Sequence, residues 1–187
     1  AYTVMAASGN RLRPFAVSRV EKPEGRRLSR TRPRRRRVVD AESAWLVRDV
    51  MQSAVDGGTA TVGRIDGREV AAKTGTSSNL RDAWFAGDGG SLVTVVWVGL
   101  DNGATLGLTG SRAAGPIWKT FMEAAVRARP EPRRRTPGGI VKAWVDPESG
   151  LRVGRGKRGA EEEVFRRGTL PRRERFWRRD RAVPIIY

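Results

Sequence analysis

Residues 70–78 read Val-Ala-Ala-Lys-Thr-Gly-Thr-Ser-Ser. The apolar start of this stretch predicts a strand that ends near Gly75. A glycine between two hydroxyl residues lets a ligand approach the strand backbone closely. Lys73 offers a positive charge for a carboxylate, and the hydroxyls of Thr74 and Thr76 can donate hydrogen bonds to the same group. The stretch therefore predicts a strand end that binds an anion. A Lys-Thr-Gly sequence such as residues 73–75 also occurs by chance, and it can equally mark an edge strand that meets a turn.

The neighbouring segments predict an α/β fold of the α+β type, in which helices pack on antiparallel strands. Two further strands are predicted at 83–87 and 92–100, and the second of these is apolar on both alternations, so both of its faces should be covered. Asp40 is a good N-cap for a helix that runs to about Val55. The predicted buried positions are Ala44, Val47, Met51 and Ala54 in this helix, and Ile117, Phe121 and Ala125 in a last helix that begins around Gly115-Pro116.

The remaining local predictions concern turns and aromatic residues. A short strand is predicted at 15–20, and Asp66-Gly67 predicts a hairpin that leads into the strand at 70–75. The aromatic residues and their neighbours that are expected in the core are Asp82, Trp84, Phe85, Trp97 and Trp118.

Composition excludes several classes of chemistry. The chain has 187 residues, of which 39% are hydrophobic, so it can bury a sizeable core. It contains no cysteine, which excludes disulfides and thiolate chemistry. It contains no histidine, which excludes a Ser-His-Asp triad and the commonest metal ligand, and no metal site or cofactor is predicted. No apolar run approaches the roughly 20 residues of a membrane-spanning helix.

Basic residues are concentrated toward the two ends of the chain. The net charge of +17 divides into +10 over residues 1–39, −1 over 40–129 and +8 over 130–187. Arginine runs among prolines are typical of flexible sequence, which predicts an Arg-rich loop at about 26–37 and a partly disordered basic extension at 130–187. Binding of an acidic polymer or an anionic membrane is the alternative interpretation.

The motifs resemble those of one enzyme family in both content and order. The segments that carry the likeness are 2–9, Gly57-Gly58-Thr59, 70–78, 82–87, Val96-Trp97-Val98-Gly99, Asp101-Asn102 and 114–118. Together they resemble the transpeptidase domain of bifunctional (class A) penicillin-binding proteins. The extension is similar as well, at 136–139, Val145-Asp146, Ser149-Gly150 and 165–169. The resemblance implies that residues 1–129 are the C-terminal part of a transpeptidase domain.

The activity implied by the resemblance is acyl transfer between peptidoglycan stem peptides. A serine would attack a D-alanyl-D-alanine peptide, release the last D-alanine and pass the acyl group to an amine of a neighbouring strand. Lys73 would assist proton movement, and the Thr76 N–H would form half of the oxyanion hole. The substrate carboxylate, or that of a β-lactam, would be bound by Lys73, Thr74, Gly75, Thr76 and Ser77.

Two motifs of the family are absent from the places where they are expected. No serine here is followed three residues later by lysine, so the Ser-x-x-Lys that carries the nucleophile is absent from the sequence. Ser77-Ser78-Asn79 matches the second motif, Ser-x-Asn, but the family places that motif well before the Lys-Thr-Gly. We therefore expect a longer protein whose preceding part holds the nucleophile, a membrane anchor and a glycosyltransferase domain. The 187 residues alone are expected to form no adduct with penicillin.

The resemblance also implies a location and partners. The catalytic domain would lie on the outer side of a bacterial cytoplasmic membrane, where stem peptides and β-lactams bind, and other cell-wall synthesis proteins would be further partners. Two other classes stay open. A serine β-lactamase-like hydrolase shares the fold and the Lys-Thr-Gly, but the basic extension is unlike one. A nucleic-acid-binding module would explain the arginine runs but not the neutral middle of the chain, so no nucleic acid is expected as a partner.

Overall fold

The computed structural model describes residues 1–127, 129 and 134–174. Contacts divide the chain into units at Ala1–Pro137 and Gly138–Tyr187. The described part of the first unit contains helices α1 (Tyr2–Ala6), α2 (Ala41–Asp56) and α3 (Gly110–Arg127), with strands β1 (Asn10–Leu12), β2 (Arg19–Glu21), β3 (Arg27–Arg30), β4 (Arg35–Arg37), β5 (Val70–Thr76), β6 (Asp82–Gly89) and β7 (Leu92–Gly99). This mixture of helices and antiparallel strands agrees with the predicted fold class. Among the described residues, no helix has the length and apolar character needed to cross a membrane.

The main sheet has its strands in the order β5–β6–β7, and both pairings are antiparallel. Residues directly opposite each other on antiparallel strands share a face of the sheet. The register therefore places Ala72, Thr74 and Phe85 on one face, against which α3 packs and which we call the α3 face. Lys73 and Asp88 lie on the opposite face, which we call the α2 face because α2 contacts it through Asp88.

The α3 face carries the main hydrophobic core. Trp118 is fully buried and packs against Phe85, with 5.1 Å between the ring centroids. Its Nε1–H donates to the carbonyl of Thr94 at 3.0 Å, so its one polar group is satisfied. The buried members of this core are Val55, Ala60, Ile65, Val70, Ala72, Phe85, Ala114, Trp118, Met122 and Val126. Each large side chain buried in this way stabilises the fold by about 1.5–3 kcal/mol.

Helix α3 differs from its prediction in both start and orientation. It begins at Gly110, and Pro116 lies inside it, so the start predicted around Gly115-Pro116 is wrong. The predicted buried stripe is also wrong, since Ile117 and Phe121 are more than half exposed. The buried stripe is Ala114, Trp118, Met122 and Val126. Apolar residues occur here in adjacent pairs, so periodicity alone fits either of two neighbouring stripes.

Helix α2 confirms its predicted ends but not its whole buried face. The Asp40 side chain accepts a hydrogen bond from the Ser43 N–H at 2.9 Å, and the helix ends at the Gly57 cap. Val47, which was predicted to be buried, is exposed. Arg48 takes a buried position instead, because its guanidinium pairs with Asp88 at 2.8 Å. The spacing of apolar residues in a sequence does not indicate a buried ion pair.

Residues 10–37 form two nested antiparallel hairpins, which we call the arginine ribbon. Strand β1 pairs with β4, and β2 pairs with β3 in the segment between them. The stretch predicted as a loop at 26–37 therefore contains two strands, and the strand predicted at 15–20 is wrong except for its last two residues. Nearly every ribbon residue is exposed, so these strands carry no inside–outside alternation that a sequence pattern could show.

Two further predictions fail around the main sheet. Asp66-Gly67 forms a turn with φ of +70° at Gly67, but a 3₁₀ turn at Thr61–Gly63 precedes it, so the predicted hairpin lacks its first strand. Val95 and Trp97 of β7 are exposed on the α2 face. The predictions that both faces of β7 are covered and that Trp97 is a core residue are therefore wrong.

The described part of the second unit contains an antiparallel hairpin of β8 (Ile140–Val145) and β9 (Glu161–Arg166). Lys157 forms ion pairs with Asp146 and Glu174, each at 2.7 Å. The hydrogen bond from Lys157, helped by the Glu148 N–H, lowers the pKa of Asp146. The hydrogen bonds to the two carboxylates raise the pKa of Lys157. Disorder is predicted for part of the extension at 130–187, of which residues 130–133 and 175–187 lie outside the described residues.

Candidate functional site

The predicted site lies at the exposed end of strand β5. The strand is buried at residues 70–72 and becomes exposed at Lys73. Within the described part of the chain, β5 pairs with β6 along one edge and with no strand along the other. A free strand edge presents unpaired backbone N–H and C=O groups, to which an extended peptide can hydrogen-bond. The local sequence thus places Lys73 through Thr76 at an open edge of the sheet.

Lys73 lies on the α2 face and is exposed. Its Nζ donates to the carbonyl of the next residue, Thr74, at 2.7 Å. It also lines an open cavity of about 490 Å³, whose other walls are Ala1, Tyr2, Met5, Leu46, Val47, Val50 and Met51. An ammonium in the wall of an apolar cavity can pair with the anionic group of a ligand whose remaining part is apolar.

Thr74 and Thr76 lie on the α3 face, opposite to Lys73. The Thr74 hydroxyl donates to the hydroxyl of Thr59 at 3.3 Å, and the Gly110 N–H donates to Oγ1 of Thr76 at 3.1 Å. A hydroxyl has one donor and two acceptor positions, so Thr76 keeps its own proton for another acceptor. A common ligand can therefore meet Lys73 and both threonines only at the free edge of β5, where the two faces of the sheet meet.

Two glycines let helix α3 begin directly against β5. A Cβ on Gly110 would overlap the carbonyl oxygens of Trp84 and Gly75. A Cβ on Gly75 would lie 3.1 Å from the Cβ of Trp84. Because the contact is this close, the first N–H of α3, at the positive end of the helix dipole, reaches the Thr76 hydroxyl. The end of the strand and the start of the helix therefore form one packed element.

Ser77 closes the connection between β5 and β6. Its N–H donates to the Asp82 carbonyl at 3.0 Å, and its hydroxyl oxygen accepts from the Asp82 N–H at 2.8 Å. Asn79 and Leu80 adopt φ values of 60° and 52°, a left-handed conformation that costs an L-residue about 1–2 kcal/mol. The Leu80 carbonyl accepts from the Leu106 N–H at 2.9 Å, which holds this turn against the loop after β7. The Ser77 hydroxyl thus has a structural partner and retains one proton to donate.

An aromatic pair lies on the same face of the sheet as Lys73, the α2 face. The rings of Trp84 and Trp97 are 6.1 Å apart, and the Trp97 Nε1–H donates to the Asp82 carboxylate at 2.9 Å. Both tryptophans are exposed. The prediction that this segment belongs to the core is therefore confirmed for Phe85 and wrong for Trp84, whereas Trp118 is confirmed as a core residue.

The arrangement brings an ammonium, several hydroxyls and free backbone groups to one strand end. Such a set can bind a carboxylate through charge-assisted hydrogen bonds, and a backbone N–H there can stabilise an oxyanion. Among the described residues, no group of three or more acidic side chains is placed to hold a metal ion. The chemistry supported is recognition of a peptide carboxylate and stabilisation of a developing negative charge.

Two residues at this site were not predicted from the sequence. Thr59 contributes to the resemblance through Gly57-Gly58-Thr59, but its contact with Thr74 links segments 15 residues apart. Gly110 lies ahead of the predicted start of α3, and its role depends on the contact with Thr76. The assignment of Lys73, Thr74, Gly75, Thr76 and Ser77 to substrate stays a prediction.

Comparison with protein families gives a match over residues 1–123 to the model of the penicillin binding protein transpeptidase domain. Penicillin-binding protein 1A of Pseudomonas aeruginosa is 35% identical over 141 residues, which cover 72% of this chain and 17% of that protein. The chain therefore spans less than a fifth of the length of this relative.

Solved structures show the same likeness. Penicillin-binding protein 1A from Haemophilus influenzae has a TM-score of 0.81 at 25% identity, covering 92% of this chain and 32% of that chain. Penicillin-binding protein A from M. tuberculosis, in an imipenem acyl-enzyme complex, has a TM-score of 0.58 at 28% identity, covering 67% and 30%. The predicted fold class is confirmed by these matches.

Proposed function

Because the chain belongs to the family of penicillin-binding protein transpeptidase domains, we propose that it forms part of the acyl-transfer site of a peptidoglycan D,D-transpeptidase. The observation that carries this proposal is the position of Lys73, Thr74 and Thr76 at the free edge of β5, with the start of α3 packed against Thr76. The substrate would be a stem peptide that ends in D-alanyl-D-alanine, and a β-lactam would occupy the same place.

The proposed reaction has two steps. A serine oxygen attacks the carbonyl carbon between the two D-alanines, the C–N bond breaks, and the proton of the serine passes to the leaving amine. An amine of a neighbouring strand then attacks the ester, loses a proton and frees the serine. The sequence contains no Ser-x-x-Lys, so the nucleophile is assigned to a segment outside residues 1–187.

Each residue of the strand end has a role in this scheme. The hydroxyls of Thr74 and Thr76 donate to the terminal carboxylate of the peptide, and Lys73 supplies positive charge and assists proton movement. The Thr76 N–H stabilises the oxyanion, and Gly75 keeps the strand open to the substrate. The Gly110 N–H occupies an acceptor position of the Thr76 hydroxyl and so orients its proton. Ser77 adds a further donor at the end of the strand.

We also propose where in the cell this site acts. Stem peptides are cross-linked outside the cytoplasmic membrane, so we place the site on that side of a bacterial cell. A membrane anchor and a glycosyltransferase domain would belong to other parts of the protein, and cell-wall synthesis proteins would be its neighbours.

Acylation by a fluorescent penicillin tests the proposal in the protein that carries the nucleophile. Lys73→Ala should slow acylation by about 10²–10⁴-fold, the usual value of acid–base assistance, with little change in stability. Lys119→Ala, on the surface of α3, is the matched control and should acylate normally. Normal acylation of Lys73→Ala would remove Lys73 from the mechanism. Rapid release of the adduct by water would favour the hydrolase alternative.

The 187 residues alone provide a second test. Incubated with the same penicillin and separated on a denaturing gel, they should give no labelled band. A labelled band would locate the nucleophile within this sequence and overturn the assignment of the motifs.

A further inference from the structure

The arginine ribbon has a charge density that nothing else in the described structure balances. Residues 10–37 contain twelve basic and two acidic side chains, a net charge of +10 over 28 residues. Among the described residues, the one ion pair in the ribbon joins Arg19 to Glu21 at 3.1 Å, and both side chains are exposed. Exposed pairs of this kind contribute little to stability. The ribbon thus concentrates positive charge that ion pairs within the described fold do not offset.

The strand register makes the charge more costly. Arg11 lies directly opposite Arg36, and Arg19 lies directly opposite Arg30. Like charges at directly opposed positions destabilise a strand pair by about 0.2–1 kcal/mol. One guanidinium of the ribbon, that of Arg37, has a structural use, since it donates to the carbonyls of Ser8 and Val39. A local rule broken without compensation in the fold is expected where a surface meets a ligand.

The arginines converge on concave surfaces. An open cavity of about 580 Å³ is lined by Arg13, Pro14, Phe15, Arg30, Thr31, Arg32 and Arg34. A second cavity of about 350 Å³ shares Arg30 and Thr31 with it and adds Ser18, Arg19 and Arg27. The planar guanidinium group matches the oxygens of a phosphate with two parallel hydrogen bonds, so four arginines around one cavity suit phosphate groups.

Large apolar side chains lie between the arginines. Those of the ribbon are between 41 and 57% exposed, namely Leu12, Phe15, Val17, Val20 and Leu28. Exposed apolar residues among cationic ones are typical of elements that lie in the headgroup region of an anionic membrane. A single-stranded nucleic acid would favour several aromatic rings for base stacking, whereas Phe15 is the one aromatic residue of the ribbon.

We propose that the arginine ribbon binds the surface of an anionic phospholipid bilayer. The guanidinium groups around the larger cavity pair with lipid phosphates, and the apolar side chains enter the headgroup region. The contact is separate from the strand end at Lys73, so it stands whether or not the acyl-transfer proposal holds.

Sedimentation with vesicles tests this surface. The chain should bind vesicles of phosphatidylglycerol and phosphatidylcholine in equal parts, should not bind vesicles of phosphatidylcholine alone, and should be released by salt. Substitution of Arg13, Arg30, Arg32 and Arg34 by Gln should weaken binding several hundred-fold, at about five-fold for each charge near the surface. The matched control carries the same net charge, with Gln at Arg81, Arg112, Arg127 and Arg158, and should bind almost as well as the unchanged chain.

A second variant separates insertion from simple charge attraction. Phe15→Ser with Leu28→Ser leaves every charge in place and should weaken vesicle binding about ten-fold or more, because two large apolar groups no longer enter the headgroup region. Equal binding by the two four-arginine variants would overturn the proposal, as would unchanged binding by the Phe15 and Leu28 variant. Tighter binding to single-stranded or duplex DNA than to the vesicles at the same salt concentration, lost in the ribbon variant, would assign the surface to nucleic acid instead.

Discussion

Arg48 on α2 is buried and paired, whereas the arginines of the ribbon are exposed and face one another. The Arg48 side chain contacts both oxygens of Asp88, and the two residues are 6% and 3% exposed. In the ribbon, Arg11 and Arg36 occupy directly opposed positions. Arg48 is tolerated because the fold supplies a carboxylate, and the ribbon arginines are tolerated because water and salt screen them. The surroundings of an arginine, rather than the residue type, therefore decide what it contributes to stability.

The largest effect should come from removing the buried carboxylate. Asp88→Ala removes the buried carboxylate that pairs with Arg48 at 2.8 Å, leaves Arg48 with the half-exposed Glu69 carboxylate at 3.9 Å, and removes an acceptor of Arg134 at 3.1 Å. Breaking a buried pair in this way should lower the free energy of unfolding by about 3–5 kcal/mol, measured by urea denaturation. A loss below about 1 kcal/mol would show that water replaces the carboxylate and that Arg48 behaves like the ribbon arginines.

The second largest effect should come from adding a methyl group at a tightly packed glycine, compared with a glycine that has open space around it. Gly110→Ala places a methyl group against the backbone of Gly75 and Trp84, which should cost about 1–3 kcal/mol and displace the start of α3 from Thr76. In the protein with its nucleophile, acylation should slow as well. Gly154→Ala is the control, because nothing lies within 4 Å of the added carbon. Equal stability and equal acylation of the two variants would contradict the packed contact described at the site.

In the arginine ribbon, a substitution should raise the free energy of unfolding, by less than the two previous substitutions lower it. Arg36→Glu replaces a repulsive pair with Arg11 by an attractive one, which should raise the free energy of unfolding by about 0.2–1 kcal/mol at low salt. The gain should shrink as salt is added, since these charges are exposed. Arg36→Gln, measured beside it, separates loss of repulsion from gain of attraction. A destabilised Arg36→Glu variant would mean that the ribbon arginines already have partners in solution.

The smallest effect concerns the ion pair of Lys157 and Asp146, which is partly exposed and so lies between the two extremes. The pKa of Asp146 is lowered from 3.8, so its contribution is complete above that value and is lost as pH falls through the lowered pKa. The protection factors of the β8 amides, which correct the exchange rate for its intrinsic dependence on pH, should therefore stay constant from neutral pH to about pH 4 and fall only below it. In an NMR titration, Lys157→Gln should return the pKa of Asp146 toward its ordinary value. An unchanged pKa would remove Lys157 as the cause.

The elements that the sequence predicts well are those whose signals are local. The Asp40 cap, the Gly57 end of α2 and the three strands of the main sheet each depend on residues a few positions apart. Lys73 through Thr76 could be singled out for the same reason, because the residues of the strand end are contiguous.

The predictions that the structure contradicts mostly depend on contacts between segments that are distant in the sequence. Arg48 displaces Val47 from the buried face because Asp88 lies 40 residues away in sequence but within hydrogen-bond distance. Helix α3 starts early because its first residue meets Thr76, and the side chains of the ribbon strands lack a buried face altogether. Thr59 and Gly110 could not be placed at the site for that reason, since only the folded chain brings them to β5.

The Asp88 carboxylate also bears on the order in which the chain folds. It accepts hydrogen bonds from Arg48 and Arg134, and Arg134 donates to the carbonyl of Ala6, 128 residues earlier in the chain. Contacts across such separations close long loops, whose entropy must be lost before the contact contributes anything. We expect such contacts to form late in folding, and interactions that form after the folding barrier slow unfolding without speeding folding. We therefore expect the Asp88 carboxylate to determine how long the molecule stays folded rather than how quickly it folds.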